Sequence, residues 1–398
     1  MKTVSQKKMF FSIFIVLSCI FLLHYKIVGQ AVYGDGRFYW AYLRSAVKDH
    51  DLDLRNELNR EYSPKANNTL QEKPFEKKQI FNWFPIGASI SWLPSFGIAD
   101  GLANILHRAS PSFPNNGYSD IYQIMVGLQN VLFVSVGIML LYRLLASYFK
   151  PFISYLAIIL VLFGTNLLYY GGVDVINSHQ FSFFMSSLFL YYWAKTNRKR
   201  KATDWTILGA ILGFMAMART QDGIFGLLLL DVFFQKNTVL EKIQNVLLSG
   251  IVFLIVFSPQ MFMWKYVFGS YIVSPYFQGG FNFLLPHFLE VLFNARNGLF
   301  IWTPLYILCF IGMFAFRKRF LPFMLISLAQ LYLIMSWSGW NQGESFSIRM
   351  MITGLPYLAF GLAVIIKAAI KKLNIFWFIS LYSFFILYNI ISIFRFLL

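Results

Sequence analysis

The chain has 398 residues, of which 58% are hydrophobic, 19% aromatic and only 13% charged. Soluble domains carry about 25% charged residues, so this composition excludes a water-soluble fold and specifies an all-α, polytopic membrane protein. The formal net charge of +17 gathers in short connectors: Lys2, Lys7 and Lys8; Lys195 with Arg198, Lys199, Arg200 and Lys201; Arg317, Lys318 and Arg319; and Lys367, Lys371 and Lys372. That is the positive-inside pattern, so the charge reports topology and argues against nucleic acid as a partner. Cys19 and Cys309 lie in apolar runs and suggest neither a disulfide framework nor a metal site.

Lys7 and Lys8 hold the amino terminus in the cytoplasm. Residues 10–28 read as an uncleaved signal anchor, with Gly29 and Ala31 leaving room for a cleavage site. Residues 31–120 are then the first extracytoplasmic loop. After a turn at Gly34, Asp35 and Gly36 comes an amphipathic helix. At about 100° per residue, Phe38, Tyr39, Tyr42, Leu43, Ala46 and Val47 share one half of the wheel, with Arg37, Arg44 and Lys48 opposite. The basic face is expected to meet lipid phosphates or solvent.

Asp35 has two readings. Standing before a helix, it can cap free backbone N–H groups. As an acid at a membrane surface, it is also a candidate catalytic base. Asp49, Asp51 and Asp53 fail as an EF-hand, which would need Gly in place of Leu54 and Glu in place of Arg60, and read as a solvated turn closing the helix. Asn67, Asn68 and Thr69 match a glycosylation sequon.

Residues 84–106 are apolar enough to span but carry Pro85, Gly87, Pro94, Gly97, Asp100 and Gly101. If they crossed, the basic cluster at 195–201 would fall outside, so they are expected as one or two helices at the outer surface or re-entering the protein. Spans then alternate through residues 121–142, 152–170, 181–194, 205–218, 224–234, 243–263, 298–316, 320–337, 350–366 and 375–394, about eleven with the first. The outer connectors at 171–179, 219–223, 268–297 and 338–349 collect Asp174, His179, Arg219, Asp222, His287, Glu290, Arg296, Glu344 and Arg349. Residues 1–398 are read as one membrane domain without a soluble carboxy-terminal domain. No Walker loop, Rossmann fingerprint or zincin motif is present.

Arg349 opens an apolar span after a tryptophan-rich loop. It reads either as a snorkelling arginine or as a phosphate clamp, since a guanidinium fork matches phosphate oxygens. Glu344 is a candidate partner for it. His179 is a secondary candidate at a span start. Arg219, near Gln221 and Asp222, reads as a packed ion pair or a second phosphate contact.

Four segments carry a family resemblance. They are Gly34-Asp35-Gly36-Arg37-Phe38-Tyr39, followed by Asp51-Leu52-Asp53; Ser178-His179-Gln180-Phe181-Ser182-Phe183-Phe184; Asn297-Gly298-Leu299-Phe300 with Pro304; and Trp340 with Ser345-Phe346-Ser347-Ile348-Arg349 and Leu355-Pro356. Together they resemble the GT-C integral-membrane glycosyltransferases, in particular the protein-mannosyltransferase and lipid A aminoarabinose-transferase group. The resemblance implies a helical bundle with horizontal helices in the first outer loop. It also implies a polyprenyl-phosphate-linked sugar donor, a lipid, glycan or protein acceptor, and an inverting transfer with a first-loop aspartate as base. That role carries over to Asp35. Members often have a second acid where this chain has Gly36, which weakens a metal role there while leaving a divalent ion open. Ser347 stands where Gly is common.

The expectation is therefore a hexosyl or pentosyl transferase in the plasma (inner) membrane, with an extracytoplasmic site and membrane lipids as surroundings. Asp35 is the expected base and Arg349, with Arg219, the expected donor-phosphate contact; His179, Glu344 and Arg37 stand behind them. The rival class is a polysaccharide-lipid transporter or flippase, whose polar groups would line a path through the membrane.

Overall fold

A computed structural model describes residues 6–58, 60–62, 70–72, 82–197, 200–273 and 280–398. The sequon at Asn67 and residues Arg198 and Lys199 of the basic cluster lie outside the described residues.

The first span is α1 (Gln6–Val28). Gly34, at a φ of +51° that glycine adopts freely, turns the chain into α2 (Gly36–Arg44). A π-helical turn, Ser45–Asp49, then α3 (Arg55–Leu58) and the antiparallel pair β1 (Arg60–Tyr62) and β2 (Leu70–Glu72) make up the described part of this loop. The stretch around Pro94 is a single helix, α4 (Gly87–Ala109). Its Trp92, Phe96, Ala99 and Ala103 are buried against α2 and the next helix, while Leu93, Ile98, Leu102 and Ile105 face outward.

The bundle continues as α5 (Asp120–Ala146), α6 (Pro151–Phe163), α7 (Leu167–Gly172), α8 (His179–Thr196) and α9 (Ala202–Ala218). A 3-10 helix, Thr220–Phe234, precedes α10 (Val239–Phe268). Then come α11 (Phe288–Phe293), α12 (Leu299–Trp302), α13 (Leu305–Ala315) and α14 (Arg317–Ser336). A 3-10 turn, Arg349–Gly354, leads into α15 (Leu355–Lys372), and α16 (Ile375–Leu397) closes the chain.

The protein is thus an all-α polytopic membrane protein. Among the described residues, six helical segments are long and apolar enough to cross a membrane: α1, α5, α10, α14, α15 with its preceding turn, and α16. The remaining expected spans are short or broken. Residues 224–234 look too few for a crossing, yet the 3-10 helix has 15 residues, and at a rise of about 2.0 Å these reach about 30 Å, the depth of the hydrocarbon core.

The break between α6 and α7 is held by side chains. Asn389 of α16 donates to the carbonyls of Phe163 at 2.9 Å and Thr165 at 2.8 Å. Asn166 accepts from Tyr306 at 3.1 Å and donates to the Ile348 carbonyl at 3.2 Å. Backbone freed inside an apolar bundle needs such partners, and these tie the break to the loop before Arg349. At the crossing of α13 and α15, a Cβ at Gly312 would run into the Gly361 carbonyl, and one at Gly361 into the Cys309 carbonyl. Glycine there permits backbone contact between helices.

Two of the three basic residues of this face, Arg44 and Lys48, are paired within the protein rather than turned to lipid phosphates. Arg44 is buried and pairs with Asp49 and Glu57 at 2.6 Å each, while Lys48 pairs with Asp100 of α4 at 2.8 Å. The expectation fails because α3 and α4 cover this helix and bring acids to it, which the wheel of one helix cannot show. Burial and a hydrogen bond with Asp49 push Glu57 up to about 7, against the pull of Arg44. Asp51 accepts from Ser45 at 2.7 Å, and Asp53 pairs with Arg55, so the acidic run serves the turn as expected.

Candidate active site

The loops at one end of the bundle bring together residues from opposite ends of the chain. Asp35 immediately precedes α2 but makes no side-chain cap hydrogen bond to it. Its carboxylate instead forms an ion pair with Arg349 at 2.7 Å. The capping reading fails because Asp35 has helical φ and ψ (−63°, −28°), whereas a capping side chain usually hangs from an extended residue. The side chains of Asp35 and Arg349 keep 25% and 16% of their surface exposed, so a ligand can reach the pair.

Arg349 is aimed by the loop that precedes it. Its Nη2 donates to the Gln342 carbonyl at 3.0 Å, and the Gln342 side chain accepts from the Met350 N–H at 3.3 Å. Ser347, two residues upstream, has a φ of +55°. This left-handed conformation accounts for glycine being expected at that position. The buried Ser347 hydroxyl shares a 2.8 Å hydrogen bond with Thr303, which helps hold a conformation that serine otherwise disfavours.

The floor beneath the pair is the loop 173–178 between α7 and α8. Tyr33 donates to the Val173 carbonyl at 3.3 Å and Tyr39 to the Ser178 hydroxyl at 2.9 Å. A Cβ at Gly36 would strike the Ile176 carbonyl oxygen. Gly36 therefore lets α2 settle on this loop, and a second acid after Asp35 does not fit without moving it. Within the loop lies Asp174, buried, with Asn177 at 3.4 Å. Burial pushes its carboxyl up to about 7; Arg349 pulls it down, and Asp35 pushes it up.

A second group lies alongside. Arg219 is buried, with Nη1 at 2.9 Å from His179 Nδ1 and donating to Ser178 at 3.5 Å. The hydroxyl of Ser178 is the one Tyr39 contacts, so this group is continuous with α2. Asp222 accepts from Thr353 at 3.3 Å. Several buried atoms without a hydrogen-bond partner lie here: Asp174 Oδ1, Gln180 Oε1, Arg219 Nε, Thr220 Oγ1 and Gln221 Nε2. Such atoms are costly unless a site has another use for them.

The expected residues divide clearly. Asp35 and Arg349 meet, and His179 and Arg219 meet next to them. Glu344 does not pair with Arg349; it pairs with Arg296 on the exposed rim, because Arg349 turns inward while residue 344 points away. Arg37 is half-buried on α2, with Tyr118 within reach of its charge. Sequence reasoning passed over Asp174, Tyr39 and Ser178. Only the position of Asp174 in an outer connector signalled it. No group of three His, Cys, Asp or Glu side chains converges among the described residues, so a divalent metal finds no three-donor set here.

Residues 123–264 match the family model for dolichyl-phosphate-mannose-protein mannosyltransferase. The match supports a GT-C fold glycosyltransferase. The family indicates a membrane glycosyltransferase that uses a polyprenyl-phosphate sugar donor. The matched stretch runs from α5 into α10 and contains Asp174, Ser178, His179 and Arg219, while Asp35 and Arg349 lie outside it. No curated protein matches the chain.

Proposed function

We propose that the glycosyltransferase moves a hexose or pentose from polyprenyl phosphate to an acceptor hydroxyl at the extracytoplasmic face of the membrane, with inversion. The Asp35–Arg349 pair carries this reading, because one contact supplies both a carboxylate and a phosphate-matching guanidinium. Without donor, Arg349 neutralises Asp35. The donor phosphate competes for the guanidinium and frees the carboxylate. Asp35 takes the proton of the acceptor hydroxyl as its oxygen forms a bond to the anomeric carbon. The bond from that carbon to the phosphate oxygen breaks, the electron pair leaves with polyprenyl phosphate, and Arg349 stabilises the charge that develops. Arg219 is buried and supports the floor through its Nη1 contacts to Ser178 and His179.

The distribution of charge favours transfer over transport. Among the described residues, the buried charged side chains are Arg44, Glu57, Asp174, Arg200, Arg219 and Asp222. All sit in loops or at element ends, whereas a transport path would call for charges midway through the bundle. The test is to incubate purified protein with a panel of polyprenyl-phosphate hexoses and pentoses and an acceptor, and to read the product by NMR. A product with inverted anomeric configuration is expected. Retention of configuration, or release of no polyprenyl phosphate from any donor, would overturn the proposal.

A further inference from the structure

A second polar site lies at the other end of the bundle. Three elements measure the separation. α8 runs from His179 to Thr196 over 18 residues, about 27 Å. α9 (Ala202–Ala218), flanked by Lys201 and Arg219, has 17 residues, about 25 Å. The 3-10 helix (Thr220–Phe234), flanked by Arg219 and Gln235, returns over 15 residues, about 30 Å. At their far ends is a cavity of about 780 Å³, lined in part by Trp193, Asn197, Arg200, Lys201, Gln235 and Lys236.

The wall of this cavity is fixed. The Arg200 side chain is fully buried; it donates to Asp231 at 2.6 Å and to the Trp193 carbonyl at 3.1 Å, and it lies over the rings of Trp193 and Trp205. Among the lining residues Asp231 balances Arg200, which leaves Lys201 and Lys236; Asp204, just outside the lining, offsets part of the charge of Lys201. Both lysines are exposed at the rim. Gln235 Nε2 is buried without a hydrogen-bond partner, and Asn197 and Asn237 add further amides. Lys201 immediately precedes α9 and Asn237 lies just before the Thr238 cap of α10; Asp204 and Glu241 cap these two helix ends, so the lining side chains rather than the helix poles set the charge of the cavity. Phe234, 90% exposed, and Pro322 make one side of the rim apolar. Two lining lysines, a buried amide donor without a partner and an apolar lip together describe a receptor for a phosphate group at a lipid surface.

We propose that this cavity binds the phosphate of an anionic membrane lipid, with the headgroup between Lys201, Lys236 and Gln235 and the acyl chains leaving past Phe234. The site takes no part in sugar transfer, so its test stands apart from the fate of Asp35. Wild-type protein and the double variant Lys201→Gln/Lys236→Gln are purified from nanodiscs of phosphatidylglycerol and phosphatidylcholine, and retained lipid is read by native mass spectrometry. Both substitutions are on exposed side chains and leave the Arg200–Asp231 pair intact.

Wild type is expected to retain phosphatidylglycerol selectively. Each lysine should contribute about fivefold to that preference, about thirtyfold for both. Asp35→Asn should retain as much lipid as wild type. A second arm reads the melting of detergent-solubilised, delipidated protein in inorganic phosphate. Stabilisation by inorganic phosphate that the double variant loses, with no lipid selectivity, would assign the same phosphate chemistry to a soluble ligand. Equal phosphatidylglycerol retention by wild type and the double variant, or neither lipid selectivity nor phosphate stabilisation in wild type, would overturn the proposal.

Discussion

The ion pair between Asp35 and Arg349 makes a prediction about stability that is separate from activity. Removing one partner of a fully buried pair costs about 3–5 kcal/mol, mostly because the remaining charge is left uncompensated. Here the side chains keep 25% and 16% of their surface, so water relieves part of that cost and about 2–3 kcal/mol is expected for either single substitution. Arg349→Gln should be the worse of the two. It also removes the charged hydrogen bond to the Gln342 carbonyl at 3.0 Å, and it leaves Asp35 facing Asp174 without a cation between them. Asp35→Asn/Arg349→Gln removes both charges and should be less destabilised than the sum, with a coupling of about 1–3 kcal/mol. The assay is thermal unfolding of the purified proteins in one detergent, read as a double-mutant cycle. Single effects that add to within about 0.5 kcal/mol would refute the pairing.

Gly36→Ala places a methyl group against the Ile176 carbonyl; α2 must lift from its floor, and a loss of about 1–3 kcal/mol together with lowered sugar transfer is expected in melting and turnover assays. At Ser347, φ +55° and the Thr303 bond oppose one another. Ser347→Gly should change melting little, Ser347→Ala should cost about 1 kcal/mol for the lost bond, and Ser347→Val should cost most, since a branched side chain is poorly tolerated at this φ. Equal melting of the three would show that the loop is unstrained. Burial raises Asp174 to about 7 from an ordinary 3.8, so the folded protein binds more protons than the unfolded chain between those values. That contribution to stability is complete below about pH 4, falls as pH rises, and is fully lost above about pH 7. Asp174→Asn should flatten this slope in a melting series across pH, and an unchanged slope would exclude Asp174 as its source.

Much of the fold was legible because apolar runs and basic connectors obey simple rules of length and charge. All eleven expected spans correspond to helical elements, and the stretch around Pro94 proved to be helix. What could not be read depends on partners distant in sequence. The wheel of α2 showed a basic stripe but not Glu57 or Asp100, which neutralise it. Asp35 looked like a helix cap because local sequence contains the N–H groups of α2 but not the guanidinium of Arg349. Glu344 seemed placed to serve Arg349 by sequence distance, yet the loop turns it toward Arg296. Gly36 and Ser347 depart from the resemblance at positions whose physical reasons, the Ile176 carbonyl and the left-handed turn, lie outside the local sequence.

The most direct measurement is the turnover of purified Asp35→Asn with a polyprenyl-phosphate sugar that the wild type uses, at saturating donor and at a temperature where both proteins are folded. A general base contributes about 10²–10⁴-fold, so transfer is expected to fall by that factor while the donor still binds. Undiminished transfer by Asp35→Asn would contradict the account.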